Sequence, residues 1–183
     1  MAAPPGKSRL RFACLSLLIL GCCGLFYWFF FLQGADGDAA LAALPTGEES
    51  VSLNHLWETG VTDNGLSLLA KTHPGLESLT INGSSNITDR GILYISQLRG
   101  LKGLRLQRIR GVTDNGLRCI GELSVLEHLD LTGTGVIDDD LLLKFSKLEH
   151  LKSLVAGRNF HASDAAFAQF KKDRPECEVR LMK

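Results

Sequence analysis

LESLTINGSSNITDRGILYISQLRG (residues 76–100), LKGLRLQRIRGVTDNGLRCIGELSV (101–125) and LEHLDLTGTGVIDDDLLLKFSKLEH (126–150) are one unit written three times. Leu76, Leu101, Leu126 and Leu151 each open a copy, so the period is 25 residues. A fixed period of this size implies a stacked array, in which each unit covers its neighbour's apolar face.

Each copy has two parts. The first is LxxLxL: Leu76, Leu79 and Ile81; Leu101, Leu104 and Leu106; Leu126, Leu129 and Leu131; Leu151, Leu154 and Ala156. Alternation at the last two positions is the two-residue period of a strand with one buried face. The second part opens Val61-Thr62-Asp63, Ile87-Thr88-Asp89 or Val112-Thr113-Asp114. Thr or Asp at such a point accepts from the free N–H groups that start a helix. Apolar residues then recur at helical spacing, as at Ile92, Ile95 and Leu98, or Leu117, Ile120 and Leu123. The leucines are therefore core.

The pattern LxxLxL…(I/V)TDxGL…L resembles leucine-rich repeats of the cysteine-containing or F-box-associated type. It is also similar to arrays of this type in bacterial membrane-anchored proteins. The resemblance covers residues 51–181 and implies a curved solenoid, with parallel strands on the concave side, helices on the convex side and ligands held by the concave face. Copy four departs from it, with Ile137-Asp138-Asp139-Asp140 where Thr-Asp-x-Gly is the pattern. No F-box precedes the repeats, so a ubiquitin-ligase adaptor role does not follow.

Working outward, copy one (51–75) is worn at its start, VSLNHLWETG. The fifth copy is worn too, and a C-terminal cap is expected from about residue 157. There Ser163 or Asp164 caps a helix carrying Phe167 and Phe170, Pro175 stops it, and residues 178–181 form a closing edge strand. The charges of Glu178, Arg180 and Lys183 discourage further strand addition. Residues 33–50, QGADGDAALAALPTGEES, read as a linker with a short helical turn at 39–43.

Ahead of the linker, FACLSLLILGCCGLFYWFFFL runs from Phe12 to Leu32 without a charge. As a helix it spans about 31 Å, close to a bilayer's hydrocarbon thickness. Lys7, Arg9 and Arg11 make residues 1–11 basic, so this flank is expected in the cytoplasm and the repeats outside it. The segment reads as an uncleaved transmembrane signal anchor; a cleaved signal peptide, or lipidation at Cys22, are the rivals. The expected organisation is a basic N-terminus (1–11), an anchor (12–32), a linker (33–50) and an α/β leucine-rich-repeat solenoid of about five repeats (51–183).

Removing the three N-terminal cations from 20 basic residues leaves 17 against 20 acidic, a formal −3 for residues 33–183. That argues against a general nucleic-acid binder. Cys119 and Cys177 lie three strand steps apart, roughly 15 Å, too far for a disulfide.

By alternation Ser78, Thr80, Gly103, Arg105, His128, Asp130, Ser153 and Val155 face away from the core. Arg105 and Asp130 share a column, within ion-pair reach. A second column reads Glu77, Lys102, Glu127, Lys152. Such ladders are either stacking pairs or a polar docking strip. Copy three is basic, with Arg105, Arg108 and Arg110 on the strand-to-helix turn, and copy four is acidic. The candidate partner-binding residues are Thr80, Arg105, Arg108, His128 and Asp130. Asp138, Asp139 and Asp140 cap a helix; they lack the spaced ligands of a calcium loop. The five histidines form no metal motif, no nucleophile–base pair can be named, and no catalytic residue, metal or cofactor is assigned. Asn82 and Asn86 begin glycosylation sequons. The expected function is non-catalytic: a membrane-anchored module binding a protein outside the cytoplasm on its concave face. The alternative is an assembly or scaffolding factor for a membrane complex, held through its transmembrane helix.

Overall fold

A computed structural model describes residues 37–45, 47–54 and 60–182. The basic N-terminus and the apolar run 12–32 lie outside the described residues. Among the described residues no helix is long and apolar enough to cross a membrane.

Six strands form one parallel sheet in chain order: β1 Ser50–Asn54, β2 Ser78–Thr88, β3 Gly103–Gly111, β4 His128–Asp130, β5 Ser153–Ala156 and β6 Glu178–Leu181. Helices alternate with them: α1 Gly37–Ala42, α2 Asp63–Thr72, α3 Asp89–Ile95, α4 Asp114–Arg118, α5 Asp139–Phe145 and α6 Asp164–Asp173. A 3-10 turn, Cys119–Glu122, extends α4. The register carries the sequence period directly, pairing Ser78 with Gly103, Gly103 with His128, His128 with Ser153 and Ser153 with Glu178. The architecture is a leucine-rich-repeat-like solenoid of five strand–helix units and a closing strand.

Its core is a set of apolar rows running across the repeats. Val51, Leu79, Leu104, Leu129 and Leu154 form one, and Leu53, Ile81, Leu106, Leu131 and Ala156 the next. The helices contribute Leu66, Ile92, Leu117 and Leu142, and then Leu69, Ile95, Ile120 and Phe145. Burying one such side chain contributes about 1.5–3 kcal/mol. Each is covered by the equivalent residues of neighbouring units, so no unit closes its core alone.

Two expectations need revision. The first step, Ser50 to Ser78, is 28 residues rather than 25. The described part of the expected linker also does more than connect, and the helical turn expected at 39–43 falls on α1. Helix α1 packs on α2 with Leu41 buried, and Ser50 opens β1. The physical reason is that Asp38 of α1 accepts hydrogen bonds from both the N–H (2.8 Å) and the hydroxyl (2.5 Å) of Thr62. At the other end, β6 pairs with β5 as expected and Ser163 caps α6.

Candidate functional site: the open face of the sheet

Strand residues between the core rows point away from the helices. One row is Ser78, Gly103, His128 and Ser153; the next is Thr80, Arg105, Asp130 and Val155. The pleat puts them there, since their neighbours Leu79, Leu104, Leu129 and Leu154 are buried.

Arg105 and Asp130 meet as the shared column implies, with Nε 3.4 Å from Oδ2. Their situations differ. The Arg105 side chain is 57% exposed and that of Asp130 only 12%. The same Oδ2 accepts from Gln107 Nε2 at 2.7 Å. The other oxygen accepts from the N–H and the hydroxyl of Thr132, at 3.0 and 2.7 Å. Asp130 is thus a saturated anchor for the turn after β4, and Arg105 carries the available charge. Thr80 flanks Arg105 in the register, and His128 is exposed one row away. The alternating charge column resolves into two pairs, Glu77–Lys102 at 2.7 Å and Glu127–Lys152 at 2.5 Å. The hydrogen bond that Lys102 donates to Glu77 raises the Lys102 pKa, and the one that Glu127 accepts from Lys152 lowers the Glu127 pKa. All four are solvated, so these pairs set register more than stability.

Arg108 does not sit on a strand pleat. Its φ is +56°, the only left-handed value at a non-glycine among the described residues. Gly83 (φ +76°) and Gly133 (φ +71°) stand 25 residues before and after it in the same left-handed conformation. The turn therefore recurs in three units and uses glycine in two. The Arg108 N–H donates to Thr132 O at 2.9 Å, which locks the conformation. Arg108 and Arg110 are exposed, and among the described residues neither side chain has a hydrogen bond or ion pair.

A second ladder runs along the starts of the helices. Thr88 donates its N–H and hydroxyl to Asp63, at 2.9 and 2.6 Å. Thr113 does the same to Asp89, at 2.7 Å for both. Ser163 does so to Asp139, at 2.6 and 2.8 Å, and these bonds lower the Asp139 pKa. With Asp38 and Thr62 that makes four joints. The glycine of Thr-Asp-x-Gly has its reason here. A Cβ on Gly65, Gly91 or Gly116 would come within 2.1, 2.5 or 2.3 Å of the Asp oxygen in the preceding unit. The ladder breaks once. Position 138 is Asp, which caps its own helix by accepting from Leu141 N–H at 2.8 Å. It has no hydroxyl to offer Asp114, and Leu141 fills the glycine position. Arg118 spans this joint instead, 3.8 Å from both Asp138 and Asp140.

The aspartates link neighbouring copies as well as opening their own helices. Thr-Asp reads as a local cap, yet the Asp serves the next unit, 24 or 25 residues on. Asn159 was also missed. Its Nδ2 donates to Leu131 O and Thr134 O, at 2.8 and 3.1 Å. Thr134, fully buried, donates to Leu106 O at 2.8 Å and accepts from Ile109 N–H at 3.0 Å. Of the sequons, Asn86 is exposed whereas Asn82 is half-buried and its Ser84 is buried on Val61 O. His73 is buried between Pro45 O and Thr72 Oγ1, both at 2.8 Å, a structural role. Cys119 and Cys177 are free thiols. On the helix side an open groove of about 560 Å³ is lined by Arg118, Glu122, Asp140 and Lys144, whose charges are already paired.

No family model matches the chain, and no curated protein matches it significantly. Among solved structures it is similar to a leucine-rich-repeat protein of Leptospira interrogans, at 23% identity and a TM-score of 0.48. The match covers 72% of this chain and 30% of that one, so this chain spans under a third of that protein's length.

Proposed function

We propose that this chain is a protein-binding module, membrane-anchored through residues 12–32, that holds its partner outside the cytoplasm on the open sheet face around Thr80, Arg105, Arg108 and His128. The observation that supports this reading is the face itself: a continuous polar strip built on a rigid parallel sheet, with Arg105 57% exposed at its middle. A solenoid of this kind offers a broad, preformed recognition surface rather than an enclosed cavity. Asp130 belongs to the support of that surface, because its oxygens are held by Gln107 and Thr132. The role is non-catalytic.

A photo-crosslinking side chain placed at Thr80 or His128 in the full-length chain, in cells, tests the surface. The same protein adduct from both positions, and not from the exposed helix residue Leu93, supports it. Adducts from Leu93 alone refute it. Externally added protease that removes the repeats from intact cells supports the orientation, and full protection refutes it. A scaffolding factor held through the apolar run is the second reading. It is favoured if crosslinks arise from Phe29 and not from the sheet.

A further inference from the structure

We infer that the lip of the open face along β3, at and beside the left-handed turn of Arg108, is a receptor for an acidic protein segment, whose carboxylates are taken by Arg105, Arg108 and Arg110. This rests on the open face being a protein-binding surface and names the chemistry of the partner. Three observations carry it. Arg108 occupies a left-handed position that the units on either side give to glycine. An L-residue there is disfavoured by roughly 1–2 kcal/mol; the backbone bond to Thr132 O holds the turn whatever the side chain, and among the described residues the Arg108 side chain meets no anion. Arg110 is likewise exposed and, among the described residues, unpartnered, and Asp130 answers Arg105 alone while being saturated by Gln107 and Thr132. The lip thus carries three guanidinium groups against one carboxylate. Guanidinium groups are planar, keep their charge and hold carboxylates with two parallel hydrogen bonds.

The flanks narrow the occupant. Ser85 and Asn86 on one side, and Gly133 on the other, are exposed and uncharged. Val136, one turn further, is 46% exposed and offers an apolar foothold. The chain from residue 33 is net −3 (17 basic against 20 acidic), and Asp139 and Asp140 are exposed in the next unit. A long polyanion or an anionic bilayer laid on the lip meets that negative surface. A short acidic segment does not.

The test uses the full-length chain in non-ionic detergent. A fluorescent Glu/Ser peptide is titrated by anisotropy, against a Gln/Ser peptide of equal length and against vesicles of phosphatidylserine and phosphatidylcholine. Binding should prefer the Glu peptide by about tenfold or more and weaken as salt is raised. Arg108→Gly suits the backbone and keeps the fold; it should weaken binding several-fold, and Arg105→Gln/Arg110→Gln should remove the preference. Equal affinity for both peptides, no binding at low salt, or an unchanged affinity in Arg108→Gly overturns the inference. Vesicle binding that Arg108→Gly abolishes, without peptide preference, assigns the lip to lipid and overturns it too. If Thr80 and His128 still crosslink a protein while the Glu peptide is not preferred, the binding surface stands and only the acidic partner falls.

Discussion

Asp89 and Asp114 occupy the same place in successive copies of Thr-Asp-Asn/Arg-Gly, yet they should behave differently when removed. Asp89 accepts two hydrogen bonds from Thr113 in the next unit, both at 2.7 Å. Asp114 has no hydrogen bond or ion pair among the described residues, because position 138 offers it a carboxylate in place of a hydroxyl. Hydrogen bonds to a charged acceptor contribute about 1.5–3 kcal/mol each when sheltered. Thr113 is exposed and Asp89 half-buried, so about 1 kcal/mol each is the appropriate figure. Both aspartates also sit in the first turn of a helix, worth about 0.5 kcal/mol to a negative charge. Asp89→Ala should therefore cost about 2.5 kcal/mol, and Asp114→Ala about 0.5. Asp89→Asn keeps an acceptor for the Thr113 N–H and should fall between. Urea unfolding followed by far-ultraviolet circular dichroism, at constant slope, measures all three. Equal losses for Asp89→Ala and Asp114→Ala would show that these residues act only as local helix charges, and the ladder would have no energetic meaning.

Other substitutions probe other links. Gly116→Ala places a Cβ within 2.3 Å of Asp89 Oδ1 and should destabilise by about 2 kcal/mol through the same joint; Gly75→Ala, with nothing within 4 Å, should be near neutral by the same urea assay. Thr134→Val keeps the shape but leaves Leu106 O and Ile109 N–H unpaired inside the protein, so the melting curve should report a loss of about 2–4 kcal/mol. Arg108→Gly should raise stability by up to about 1 kcal/mol, the relief of left-handed strain exceeding the chain entropy that glycine adds. The Asp139 carboxylate has a lowered folded pKa, held there by Ser163. Its contribution is therefore complete above the unfolded value near pH 4 and disappears as pH falls through the folded value; Ser163→Ala should flatten that acid limb of the stability profile.

The apolar rows were legible because two periods agree. A two-residue alternation inside each strand and a 25-residue spacing between strands place Leu79, Leu104, Leu129 and Leu154 in one line, as the register has them. The Arg105–Asp130 pair followed from the same arithmetic. The helical turn expected at 39–43 falls on α1, but its packing on α2 did not follow, because GDAALA carries a single leucine within an acidic, glycine-containing stretch, and its chief tie is polar, from Asp38 to Thr62. The turn chemistry was hidden for a related reason. Nothing local marks Arg108 as left-handed; the signal lies in Gly83 and Gly133, one period away on either side. Alternation placed Asp130 on the open face beside Arg105 but could not show its further partners, Gln107 and Thr132, which lie where the pleat ends.

The joint between the third and fourth units is built differently on its two sides. There the Asp ladder fails, and the exposed Arg118 contacts at 3.8 Å contribute a few tenths of a kcal/mol at most. What holds the joint is the leucine rows and the buried Thr134 network on the strand side. Stability in a solenoid is a sum over interfaces, so this interface depends on its sheet edge far more than on its helix edge. The three arginines stand at that sheet edge. Losing a helix-side bond there leaves the sheet rows untouched, and the lip of Arg105, Arg108 and Arg110 keeps its geometry. Losing Thr134 loosens the backbone of Leu106 and Ile109, on either side of Arg108, and should blunt peptide binding as well as stability. A Thr134→Val protein that still folds at low temperature but holds the Glu peptide as tightly as wild type would separate the turn from the network beneath it.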